Sequence, residues 1–162
     1  MPLQTSLTTR LEYQHKSLID IIEGLSDEHI RRQIIPGKWS IFENVVHLAT
    51  YQHTFIRRVE KIVHEENPQF GRYTAESDPL FYDNCTRSSR EIMQDLIATR
   101  REVVTKILSL RQEDVLRQGG HPVFGNMNIA QWLNFFLLHE AHHLFTIFKL
   151  AAELRKEANT SS

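Results

Sequence analysis

The sequence is poor in the residues that staple or break a chain. Cys85 is its single cysteine. No internal disulfide framework can form, and a reducing compartment is expected. Of five prolines and six glycines, all but Pro2 and Gly24 are gathered at Pro36-Gly37, Pro68 to Gly71, Asp78-Pro79 and Gly119 to Gly125, so the pieces between them are long. Charge of one sign is also lacking: the formal net charge is −1, which supplies no broad basic field for nucleic acid or acidic lipid. No apolar run is long enough to span a membrane, and the opening MPLQTSLTTRLEYQHK has no apolar secretion-signal core. These absences predict a cytoplasmic protein with no nucleic-acid or membrane partner. What is present, 41% hydrophobic and 24% charged residues, is a globular balance, and the length suits one domain over 1–162.

The four pieces carry helical periodicity. Leu7, Leu11, Leu18, Ile21, Ile22 and Leu25 recur over about 5–25. The second piece starts at WSIFENVVH, where Ser40 with Glu43 three residues on is a capping-box signature. Val45, Leu48, Phe55, Val59 and Ile62 continue its stripe to about Glu66. Ile92, Leu96, Val103, Ile107 and Leu110 mark a third helix over about 86–110, with a further turn at 113–116. Asn128 is a candidate N-cap for a fourth, apolar nearly all round from Trp132 to Leu150. No segment alternates like a strand for long. The expectation is an all-α four-helix bundle with a long connection, about 67–84, between helices two and three. That connection is longer than a bundle hairpin needs, and either crosses the bundle or lids a site.

Histidine is abundant, at nine. LLHEAHHLF, residues 137–145, reads literally as the H-E-x-x-H of zinc metalloproteases. On a helix His139 and His143 lie about 40° and about 6 Å apart and can share an ion, whereas His142 points elsewhere. Trp132, Phe136, Ile147 and Leu150 share their direction, so the pair faces the bundle interior. Two polar rings there need partners. The protease reading fails on the third ligand. One zincin class continues with glycine and histidine, where this chain has Thr146 and Lys149. The other takes a glutamate from a later helix, but the residues after His143 read as the same helix running out, and Glu153 lies about 15 Å along the axis. The third ligand must come from upstream, from His47, His53 or His121. His47 and His53 project about 120° apart, and periodicity does not choose between them.

GKWSIFENVVHLATYQ, the Gly-His-x-x-x-Gly of residues 120–125 and the H-x-x-x-H of the last helix, in that order, resemble the DinB-like superfamily of bacterial four-helix-bundle metal-binding proteins over about 5–155. The resemblance implies a divalent metal held by His47, His139 and His143, and so selects His47 over His53. It also implies a choice of function: a metal-dependent transferase acting on a small molecule, with a low-molecular-weight thiol as candidate; a metal-dependent hydrolase; or a non-catalytic stress or regulatory protein. Relatives often carry Asp where this chain has Glu140, and that substitution creates the protease-like string.

Three neutral imidazoles leave the charge of a divalent ion uncompensated and a coordination position open. Imidazole suits zinc, nickel, iron and copper alike; zinc and nickel are the expected metals. The expected mouth is bounded by the 67–84 and 119–128 segments, with Asp78, Tyr82, Asn84, His121 and Asn126 as polar candidates. Glu43 is read as the cap partner of Ser40, Trp39 as packing at the helix start, and Glu140 as a packing or orienting residue. Phe135, Leu138, Phe145 and Phe148 give the last helix more apolar surface than one bundle buries, which predicts a homodimer.

Overall fold

The computed structural model describes residues 3–160. The first periodic piece is bent into α1 (Thr5–Tyr13), a 3-10 turn (Gln14–Lys16) and α2 (Ser17–Ile22). Gly24, at φ +77°, turns the chain towards the short α3 (Asp27–Arg31), whose N-cap Ser26 accepts from His29 N. The long α4 (Ile41–His64) begins where the capping box requires. Ser40 Oγ accepts from Glu43 N at 3.2 Å, and Glu43 Oε2 accepts from Ser40 N at 2.7 Å. Every residue from Asn44 to Gln52 is buried, so α4 is the central helix; it packs on α5 (Pro79–Cys85), α6 (Ser89–Leu108) and α8 (Ile129–Thr160). The Ser88–Glu91 capping box starts α6, three residues later than periodicity suggests. Asn128 caps α8, exchanging hydrogen bonds of 2.9 Å with Gln131.

Two segments read as loops have structure of their own. Asp78 caps α5 with Pro79 in its first turn; this helix lies inside the long connection and buries Phe81 against α4. After α7 (Gln112–Val115), β1 (Gln118–His121) and β2 (Gly125–Asn128) pair antiparallel. This hairpin has no alternating apolar signal because contact with the connection selects its residues. A Cβ at Gly119 would stand 2.7 Å from Ile62, and one at Gly120 would collide with the Gln69 side chain. Phe70 N donates to Gly120 O, and Gly120 N to Pro68 O.

The core divides into two apolar clusters, and their membership gives the helix directions. One holds Leu18, Val45, Leu48, Ile92, Leu96, Leu144, Ile147 and Leu154. The other holds Leu7, Leu11, Phe55, Val59, Val103, Ile107, Trp132 and Phe136. α4 and α6 both run from the first cluster to the second, while α1–α2 and α8 run the opposite way. The 67–84 connection therefore crosses the length of the bundle. Between the clusters lies a polar layer with a residue from every long helix: His15, His47, Gln52, Arg100, His139, Glu140 and His143.

Candidate metal centre

His47 from α4 and His139 and His143 from α8 meet in this layer, each offering a ring nitrogen within 4.8 Å of the others. Nε2 of His47 lies 3.0 Å from Nε2 of His139. Burial, followed by repulsion from His143 and His139, pushes His47 down to about 2. Burial, followed by His142, pushes His139 to about 4. Burial, followed by His139 and His142, pushes His143 to about 3. All three rings are neutral at pH 7, the state in which imidazole ligates a metal.

The hydrogen bonds assign one tautomer. Asn44 Nδ2 donates to Ser40 O at 2.8 Å, which turns Asn44 Oδ1 towards His143 Nδ1 at 2.8 Å. An amide oxygen only accepts, so His143 carries its proton on Nδ1 and keeps a lone pair on Nε2. The other two rings are not satisfied. Nδ1 of His47 and Nδ1 of His139 are buried with no hydrogen-bond partner among the described residues. One proton between their Nε2 atoms leaves one Nδ1 as an orphaned acceptor and the other Nδ1–H as an orphaned donor; protons on both Nδ1 atoms orphan two donors and set two lone pairs against each other at 3.0 Å. A buried group left in this way costs about 1–3 kcal/mol, and a cation between the lone pairs removes the repulsion. The donor set fits a divalent ion.

Aromatic rings wall the triad. Trp39, expected only to pack the helix start, has its ring 5.2 Å from His47 and 6.1 Å from His143, and stacks on Phe81. Tyr51 lies 4.7 Å from His139. Two clefts reach the histidines. One, of about 450 Å³, is lined by Trp39, Asn44, Glu76, His142 and His143. The other, of about 280 Å³, is lined by Tyr51, Arg58, Tyr73, His121, Phe135 and His139. The crossover connection and the β1–β2 hairpin thus bound the second mouth through Tyr73 and His121.

The remaining sequence candidates do not join the triad. His53 stands beside Thr99 and Asp95, away from the triad. His121 Nδ1 accepts from Val123 N and Phe124 N, which places it at the cleft wall. Asp78 caps α5 and accepts from Tyr73 Oη at 3.1 Å; Asn84 donates to Thr50; Tyr82 and Asn126 are exposed. Glu140 is buried and ion-paired with Arg100, and also accepts from Gln14 Nε2 at 2.9 Å. Arg100 donates in addition to Gln52 Oε1, Leu11 O and His15 Nδ1. Sequence reasoning passed over Asn44, Arg58 and Arg100. A signal existed for both arginines, since Arg100 occupies a core position between Leu96 and Val103, and Arg58 one between Phe55 and Ile62.

Residues 10–147 match the sequence profile of the DinB superfamily. The chain belongs to the DinB superfamily. YuaE of Bacillus subtilis is 26% identical over 147 residues, covering 83% of this chain and 91% of that one. YfiT of Bacillus subtilis, described as a probable metal-dependent hydrolase with an unusual four-helix bundle topology, shares the fold with TM-score 0.77 at 21% identity, covering 92% of this chain and 86% of that one. TT2238, a four-helix bundle protein, does so with TM-score 0.64 at 19% identity, covering 88% and 95%. The DinB match spans the histidines of α4 and α8 together with the crossover between α4 and α6.

Proposed function

We propose that His47, His139 and His143 hold a divalent cation, zinc or nickel, and that the protein is a metal-dependent transferase acting on a small molecule, with a low-molecular-weight thiol as nucleophile. The observation that carries the reading is the convergence of three neutral imidazoles on one point, two of them with no other partner. An ion held by these three histidines would supply Lewis acidity and would bring the pKa of a bound thiol or water towards neutral. The chain supplies the surroundings. Asn44 holds His143 in the ligating tautomer. Trp39, backed by Phe81, sets an aromatic ring against His47 and His143. Burial raises the Tyr51 phenol, so it stays protonated and can donate to a substrate in the smaller cleft. About 280 Å³ lies at the lower end for ligand pockets and suits a small molecule rather than an extended peptide. In the transfer, the thiol sulfur bonds to an electrophilic carbon and the leaving group departs with its electron pair.

Hydrolysis is the second reading, favoured by the description of YfiT as a probable metal-dependent hydrolase; water then takes the place of the thiol. Purified protein equilibrated with zinc or nickel and dialysed is expected to retain one equivalent. The triple change His47→Ala, His139→Ala, His143→Ala should lose it, and His53→Ala should keep it. Turnover of a small thiol with a chromogenic aryl halide, lost with chelator, supports the transferase. Turnover of a chromogenic ester alone transfers the assignment to hydrolysis, and metal retention without either rate leaves a binding protein.

A further inference from the structure

We infer that the substrate of this site carries an anionic oxygen group, a carboxylate or phosphate, which Arg58 receives in the cleft beside His139. The inference takes the proposed small-molecule site as its frame and adds a chemical class to the substrate. Arg58 is 8% exposed, and among the described residues no carboxylate forms an ion pair with it. That contrasts with Arg100, the other arginine buried in the core, which is neutralised by Glu140. A guanidinium has five N–H donors. Arg58 directs Nη2 to Gly71 O at 3.1 Å and Nη1 to Tyr51 Oη at 3.4 Å, and donors remain. Its guanidinium also lies 5.3 Å from the centroids of both Phe70 and Trp132. These contacts hold the cation in place but leave its charge uncompensated. A buried charge normally demands a partner, and a planar guanidinium suits a carboxylate or phosphate in two-point contact.

Placement ties this cation to the triad. Arg58 follows His47 by eleven residues on α4, which is about 20° around the axis and about 16 Å along it. A helical side chain leans back towards the N-terminus, so Arg58 extends towards His47. Tyr51 stands between them. Its ring is 4.7 Å from that of His139, and its hydroxyl meets Arg58. Arg58 and His139 line one cleft with Tyr51, which touches both, and with Tyr73, His121, Phe124 and Phe135 as its other walls. The exposed Arg72 adds positive charge at the mouth. Asp78, the acid nearest this wall through Tyr73, is engaged by the Tyr73 hydroxyl. A molecule that fills the cleft therefore meets the Arg58 cation, aromatic faces and His139 of the triad.

The test uses metal-free wild-type protein, so that binding to an ion cannot mimic binding to Arg58. It is titrated with benzoate, phenyl phosphate and neutral benzyl alcohol by calorimetry, and by NMR of the Trp132 indole N–H and the Arg58 side chain. Benzoate or phenyl phosphate should bind at least tenfold more tightly than benzyl alcohol and shift both signals; the tighter of the two names the anion. Arg58→Gln should abolish the preference, and Arg58→Lys should retain part of it. His53→Ala, beside Thr99 and Asp95 and away from this cleft, should leave it intact, and the metal-free state separates this inference from the metal reading. If Arg58→Gln does not fold, the wild-type NMR shifts decide alone. Equal binding of the neutral and anionic probes, or anion shifts confined to residues away from Arg58 and Trp132, overturns the inference.

Discussion

At the residue scale, the candidate centre depends on side chains that never touch an ion. Asn44 fixes the proton of His143 through one hydrogen bond and is itself fixed by Ser40 O. Partners of ligating histidines typically contribute 10–100-fold to metal affinity. Asn44→Ala is therefore expected to weaken zinc binding by about that factor in competition with a chromogenic chelator, with the helix content unchanged. Glu140 acts on a different quantity. Its carboxylate is committed to Arg100 and Gln14, so Glu140→Gln should leave metal content near wild type while leaving Arg100 buried without its countercharge. Breaking one half of a buried pair costs about 3–5 kcal/mol, and chemical denaturation should show a loss of about 3 kcal/mol. Arg100→Met combined with Glu140→Gln should cost less than the two single changes together. The HEAHH string thus divides between two tasks: His139 and His143 face His47, and Glu140 fastens α8 to α6.

At the element scale, α8 carries two unlike faces. The inward one bears Trp132, Phe136, the two histidines and Ile147. The outward one leaves Leu138, Phe145 and Phe148 more than half exposed. Phe135, grouped with these from the sequence, turns instead onto His121, Phe124 and Trp132 at the cleft wall, because the hairpin supplies a partner that periodicity does not reveal. The remaining exposed residues make a stripe of the kind covered by association. The expected state is a homodimer by light scattering, and Phe145→Glu should shift the mass to that of the monomer. A monomeric wild-type mass at high concentration removes this expectation.

At the scale of the whole molecule, a polar layer interrupts an otherwise apolar bundle, and stability should report on it. His15, His47, His139 and His143 all have folded-state values below the ordinary 6.5, burial being the largest cause for each. Between pH 6.5 and about 4 the unfolded chain binds more protons than the folded one, so stability falls as pH falls through that window. The melting temperature of metal-free protein is expected to drop by more than about 5 °C from pH 7 to pH 5. Zinc at about a hundred times its dissociation constant should add about 2.7 kcal/mol at pH 7, or about 5–10 °C for a chain of this size. Coincident melting curves with and without zinc would remove the metal from the account of this layer.

Much of this was legible in the chain. Helix periodicity, the Ser40–Glu43 box and the spacing of His139 and His143 are local properties, set within a few residues by backbone geometry, and they determined an all-α bundle with an inward histidine pair. The choice of His47 over His53 was not local. Both sit on flanks of the same stripe, and the residues packed against each flank come from distant segments: α8 for His47, and Thr99 and Asp95 of α6 for His53. The crossover direction, the hairpin built on close approach of Gly119 and Gly120 to the connection, and the pairing of Glu140 with Arg100 belong to the same class. Each is a contact between segments far apart in sequence, so only the tertiary structure decided which buried polar group had a partner and which, like Arg58, has no counter-ion among the described residues.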